Sequence, residues 1–186
     1  MHEALIHIDT NASCLFNTRR NDPAHKIHKQ IMNNNDVLRS IQQVLQLDES
    51  TLANIFNLSR HPVDQETLSG LLKEYTDAGY IQCTDKQLEQ FLDGLISHRR
   101  GQKDSKQPDP KVNSPALDNN LILKKLRIAF DLQEDDLIEL LSMTDYDISK
   151  SELSAVFRKP GNKHYRNCSD DFLMAFLVGL TYRQWQ

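Results

Sequence analysis

Two stretches of this chain, YIQCTDKQLEQFLDGL at residues 80–95 and YRNCSDDFLMAFLVGL at 165–180, are versions of one another. At an offset of 85 positions, Tyr80, Cys83, Asp85, Leu88, Phe91, Leu92, Gly94 and Leu95 fall on Tyr165, Cys168, Asp170, Leu173, Phe176, Leu177, Gly179 and Leu180 without a gap. The chain is therefore a duplication. A long unit that occurs twice reads as paired domains, whereas many short stacked repeats would make a solenoid.

Each copy of the stretch reads as a helix with a marked start. Thr84 and Ser169 are N-cap residues, and Asp85 and Asp170 set a carboxylate against the positive end of the helix dipole. Gln87, three residues after Thr84, completes a capping box, while Cys83 with Leu88 and Cys168 with Leu173 occupy the two positions of a hydrophobic staple. Leu88, Phe91, Leu92 and Leu95 then recur at helical spacing, as do Leu173, Phe176, Leu177 and Leu180. Gly94 and Gly179 each cost a helix about 1 kcal/mol relative to Ala. A repeated cost of that kind predicts close approach of a neighbouring backbone.

The rest of each copy follows one plan. In the first, residues 36–46 carry Val37, Leu38, Ile41, Val44 and Leu45 on one face after an Asn-rich start, and residues 49–57 carry Leu52, Ile55 and Phe56. Pro62 breaks the chain, Asp64 caps a third helix bearing Leu68, Leu71 and Leu72, and Val63 staples it to Leu68. The second copy repeats this with Ile122, Leu123, Leu126, Ala129 and Phe130, then Leu137, Ile138, Leu140 and Leu141, then Leu153, Val156 and Phe157. Ser149 and Glu152 form a box at the third helix, which Pro160 ends. The expected fold is all-α: two tandem copies of a roughly four-helix unit, packed through equivalent faces about a pseudo-two-fold axis. The expected domains are an extension over 1–32, a first repeat at 33–100, a Pro-containing polar linker at 101–118 and a second repeat at 119–186. Because Met32 immediately precedes the first copy, residues 1–31 read as a disordered extension or the product of a start assigned too far upstream.

Composition narrows the function classes. Charged residues make up 26% of the 186 positions, the formal charge is −4, and no apolar run nears the roughly 20 residues a bilayer span needs. A cytoplasmic chain is expected, with no whole-surface affinity for nucleic acid or anionic lipid. Three cysteines form no CxxC pair, and His61, His98 and His164 stand isolated, so no metal site, catalytic residue or cofactor is assigned.

The tandem openings Asn34, Asn35, Leu38 and Asn119, Asn120, Leu123, the stretch NNLILKKLRIAF, and the two Cys-Thr/Ser-Asp…Phe-Leu-x-Gly-Leu helices resemble the YehS-like family of uncharacterised bacterial proteins, a tandem duplication of domain of unknown function 1456. The resemblance runs from about Met32 to the C-terminus. It implies a bacterial protein with two all-helical domains and brings no activity or functional residue with it.

The residues themselves offer few chemistries. Cys83 and Cys168 lie at helix N-termini, where a thiolate is favoured, but both hold staple positions that a small apolar group fills, so packing is their expected role. Asp135, Asp136 and Glu139 read as a solvated face. A helix-turn-helix formed by the second and third helices of the second copy is disfavoured, because the turn from Ser142 to Ser149 is long and Asp145 and Asp147 would face phosphates.

One asymmetry carries the functional expectation. Before the last helix the first copy reads KEYTDAGYIQC, whereas the second reads RKPGNKHYRNC, with Arg158, Lys159, Lys163, His164 and Arg166 and no acid. Cations ahead of a capped helix are suited to anions. Lys124, Lys125 and Arg127 are expected to extend this patch. The expected function is non-enzymatic binding, as an interaction or adaptor module for a protein partner. The alternatives are nucleic-acid binding through the same loop and, further off, an enzyme of unrecognised mechanism.

Overall fold

The computed structural model describes residues 32–101 and 117–184. The expected extension over 1–31 and most of the expected linker lie outside them. Eight helices occur among the described residues and no strand does: α1 (Asn34–Leu45), α2 (Glu49–Leu58), α3 (Gln65–Leu72), α4 (Asp85–Arg100), α5 (Asn119–Ala129), α6 (Glu134–Ser142), α7 (Lys150–Val156) and α8 (Asp170–Gln184). The protein is all-α.

Local chemistry sets the helix starts. Asn33, Asp48, Asp64, Thr84, Asp118, Ser149 and Ser169 each accept a hydrogen bond from the amide three residues on. At α1 the cap is Asn33, so the helix opens two residues before the expected start at 36. The turns after α1 and α5 and those after α2 and α6 are duplicated down to the backbone: Gln46 and Asp131 are left-handed (φ 50° and 53°), as are Arg60 and Asp145 (φ 63° and 55°). A shift of 85 positions maps each onto its counterpart.

The described residues from Met32 onward form one compact unit with a single apolar core. Leu38, Leu52, Ile55, Phe56, Leu68, Leu88 and Phe91 are fully buried, as are Leu123, Leu137, Leu140, Leu141, Leu173 and Phe176. Within each copy the closest pairing is α2 with α4 and α6 with α8. The two glycines explain it: a Cβ at Gly94 would fall inside the carbonyl oxygen of Ile55 on α2, and one at Gly179 inside that of Leu140 on α6.

The copies are not self-contained bundles. α1 packs chiefly against α8, and α5 against α4, so each copy's first helix lies on the other copy's last. Exchanging the copies exchanges these two contacts, which is the equivalent-face packing the duplication predicts. The α4–α5 contact is polar: Lys125 bonds Asp93 and sits 3.6 Å from Glu89. Arg99 donates to the Ala129 carbonyl at 3.2 Å with its guanidinium over the Phe130 ring, and Arg100 pairs with Asp131 at 3.2 Å. On the other side the corresponding positions of α8 hold half-buried Met174 and Val178, and that of α1 holds Ser40.

Candidate functional site

The loop joining the third and fourth helices of each copy is fastened by a pair of asparagines at the start of that copy's first helix. Asn35 is wholly buried; its amide nitrogen donates to the carbonyls of Leu71 and Ile81 at 2.8 Å, and its oxygen accepts from the Cys83 amide and the Tyr80 hydroxyl at 2.9 Å. Asn120 repeats three of these bonds, to Val156 (2.7 Å), Arg166 (2.9 Å) and the Cys168 amide (2.9 Å). Asn34 and Asn119 reach the first residue of α4 and α8, donating to Asp85 at 2.9 Å and Asp170 at 2.8 Å. Two loops are thus presented on equivalent mounts.

They are finished differently. In the first, Lys73 donates to the Ala78 carbonyl at 2.7 Å, Arg39 from α1 bonds the Lys73 carbonyl at 2.6 Å and the Glu74 carboxylate at 3.1 Å, and Asp77 accepts from the Glu74 amide at 3.0 Å. Ile81 closes it, packing on the core over Gly70. Its charges are satisfied internally. In the second, main-chain bonds from Asn162 to Lys159 (3.1 Å) and Tyr165 to Asn162 (2.8 Å) shape the loop around Gly161, whose φ of 88° is left-handed. Arg158, Lys159, Lys163 and His164 are exposed, and their side chains have no hydrogen-bond or ion-pair partner among the described residues. Arg166 replaces Ile81, turns outward and pairs with Glu152 of α7 at 2.7 Å.

Of the α5 cations, Lys124 is exposed, whereas Lys125 is committed to Asp93 and Glu89 in the contact with α4. Arg127 donates to the Leu132 carbonyl at 3.0 Å and lies 4.8 Å over the Phe157 ring. The fold therefore gathers Arg158, Lys159, Lys163, His164 and Arg166 on one loop and assigns Lys125 and Arg127 to packing.

Glu152 has two roles where the sequence displays one. One carboxylate oxygen closes the cap of α7 on Ser149, and the other takes the Arg166 guanidinium. The Arg166 bond first, and the Ser149 bonds next, hold its carboxyl down at about 2. Around this pair are two depressions. One, of about 370 Å³, is lined by Asp145, Tyr146, Asp147 and Phe172; the other, of about 480 Å³, by Ala155, Arg158, His164 and Tyr165. Glu152 and Arg166 border both.

Cys83 and Cys168 are buried under their helix starts and are not joined to each other. Burial pushes both thiols up to about 12, reinforced by Asp85 at the first and by Asp118 and Asp170 at the second. Desolvation and the neighbouring carboxylates outweigh the helix dipole, so the thiols serve as packing.

The arrangement is that of a duplicated all-helical protein whose two equivalent loops carry different charges. The profile of a family described as protein of unknown function (DUF1456) matches residues 34–101 and again 119–184. The chain is also similar to the uncharacterized protein YehS of Escherichia coli (strain K12), 36% identical over 156 residues that cover 82% of this chain and 97% of that protein. It belongs to the DUF1456 family. No solved structure matches it significantly. Among the described residues no helix is long and apolar enough to cross a membrane.

Proposed function

We propose that this protein is a cytoplasmic, non-enzymatic interaction or adaptor module whose contact surface for a protein partner is the loop 158–166 of the second copy. One observation supports the reading above the rest: on equivalent asparagine mounts, the first loop spends its charges on itself while the second leaves Arg158, Lys159, Lys163 and His164 in solvent. An ordered backbone carrying uncommitted cations loses little freedom on binding. Capture of partners by the tagged full-length chain tests this. The triple variant Arg158→Ala, Lys159→Ala, Lys163→Ala should lose the partner while keeping its helical circular dichroism and melting temperature, and undiminished capture would overturn the reading.

The second reading is nucleic-acid binding through the same loop, favoured by the cluster of exposed Arg158, Lys159 and Lys163. It predicts that log affinity for DNA or RNA falls linearly with log salt, with a slope of about 0.9 per phosphate contacted on duplex DNA. Affinity insensitive to salt would exclude it.

A further inference from the structure

The two depressions beside the loop share a wall and differ in sign. Beyond the Glu152–Arg166 pair on one side stand Asp145 and Asp147, and on the other Arg158 and His164. Both members of that pair are well exposed, with 59% of the Arg166 and 46% of the Glu152 side chain accessible. Exposed pairs of this kind are weak and exchange partners readily. A ligand bearing an ammonium or guanidinium and a carboxylate can thus replace each charge it displaces.

The duplication supplies an internal control. At the equivalent places the first copy has Arg60 for Asp145, Pro62 for Asp147, Thr67 for Glu152, Lys73 for Arg158, Gly79 for His164 and Ile81 for Arg166. There the acidic end is replaced by a cation, and Ile81 covers the centre. Among the described residues the two-signed groove belongs to the second copy alone, although the cap residues, the asparagine mount and the left-handed turn at Arg60 and Asp145 are common to both.

We infer that this groove receives an extended peptide segment of mixed charge, with a basic side chain against Asp145 and Asp147 and an acidic one against Arg158 and His164. The inference rests on the protein-partner reading of the loop and specifies what that partner presents. Phosphate chains do not fit: Asp145 and Asp147 repel an anion along half the groove. Depressions of about 370 and 480 Å³ each fall within the range of ordinary ligand sites, and one peptide crossing the shared pair fills both.

The test is titration of the isotope-labelled full-length chain, followed by amide NMR, with four kinds of capped octapeptide probe: Lys-Lys and Glu-Glu separated by glycines, in both orders, all-Glu and all-Lys. An oligothymidylate is a fifth probe. One mixed-charge order should bind at least tenfold more tightly than the all-Glu and all-Lys peptides and shift amides at Asp145, Asp147, Arg158 and His164. The variant Asp145→Asn, Asp147→Asn should erase its advantage over all-Glu. Asn tolerates the left-handed backbone at 145, so this variant should stay folded. If all-Glu binds wild type as tightly as the better mixed order, the groove inference fails and the protein-partner reading of the loop stands; if the oligonucleotide does, the groove inference fails and the nucleic-acid reading of the loop replaces it. If no peptide shifts either end, the groove inference also fails, and the loop reading falls with it only if the Arg158, Lys159, Lys163 variant still captures its partner.

Discussion

The first copy is the better sealed of the two. Asn35 is wholly buried and makes four hydrogen bonds, Ile81 lies over Gly70, and Arg39 and Lys73 tie down the loop. In the second copy Asn120 is partly exposed, Tyr165 makes no counterpart of the Tyr80 bond, and Arg166 turns away from the place Ile81 fills. A duplicated frame thus keeps its packing in one copy while the equivalent loop of the other leaves Arg158, Lys159, Lys163 and His164 exposed.

The largest losses of stability are expected at the glycines, where the copies should behave alike. Gly94→Ala drives a methyl group into the Ile55 carbonyl, and Gly179→Ala does the same at Leu140. Each should lose about 3 kcal/mol in urea unfolding after the helix propensity gained by Ala is offset, and a loss below 1 kcal/mol would mean that the helices slide apart freely. The asparagines should separate the copies. Asn35→Ala strands two carbonyls and an amide in the interior and should cost about 3 kcal/mol, whereas Asn120→Ala, in a wetter setting, should cost about 1 kcal/mol. Equal losses would remove the claim that the first copy is sealed more tightly.

Smaller effects are expected at the two cross-copy contacts. Lys125→Ser leaves Glu89 and Asp93 facing each other unpaired and should cost about 1 kcal/mol. Adding Glu89→Met and Asp93→Val, the residues α8 carries at those positions, should recover most of that loss. Smallest is the titration of Glu152, followed by carboxyl NMR. Its folded value, about 2, lies below the ordinary 4.5, so the stabilisation it gives is complete above 4.5 and is lost as pH falls from there through about 2. Arg166→Ala should return the carboxyl toward 4.5; no movement would show that Ser149 alone holds it.

What the sequence made legible was local. The caps at Thr84, Ser149 and Ser169, the staples and the apolar faces depend on neighbours a turn away, and each took its expected place. Asn34 and Asn35 looked like part of a cap region, yet only Asn33 caps α1; the other two bond residues 36 to 51 positions away, which periodicity does not encode. Lys125 stands beside Lys124 in sequence, but the helical turn between them sends one to solvent and the other into α4. Glu152 was visible as a capping residue, and its second oxygen found Arg166 only through the loop's path.

The placement of α1 on α8 has a consequence for synthesis. A helix near the start of the described chain waits for one near its finish, and at ordinary translation rates the interval is on the order of ten seconds. During that time the face of α1 that packs on α8 lacks its final cover, so the fold cannot close before the last helix has emerged. Completion of α8 acts as a clasp that ends this exposure in one step.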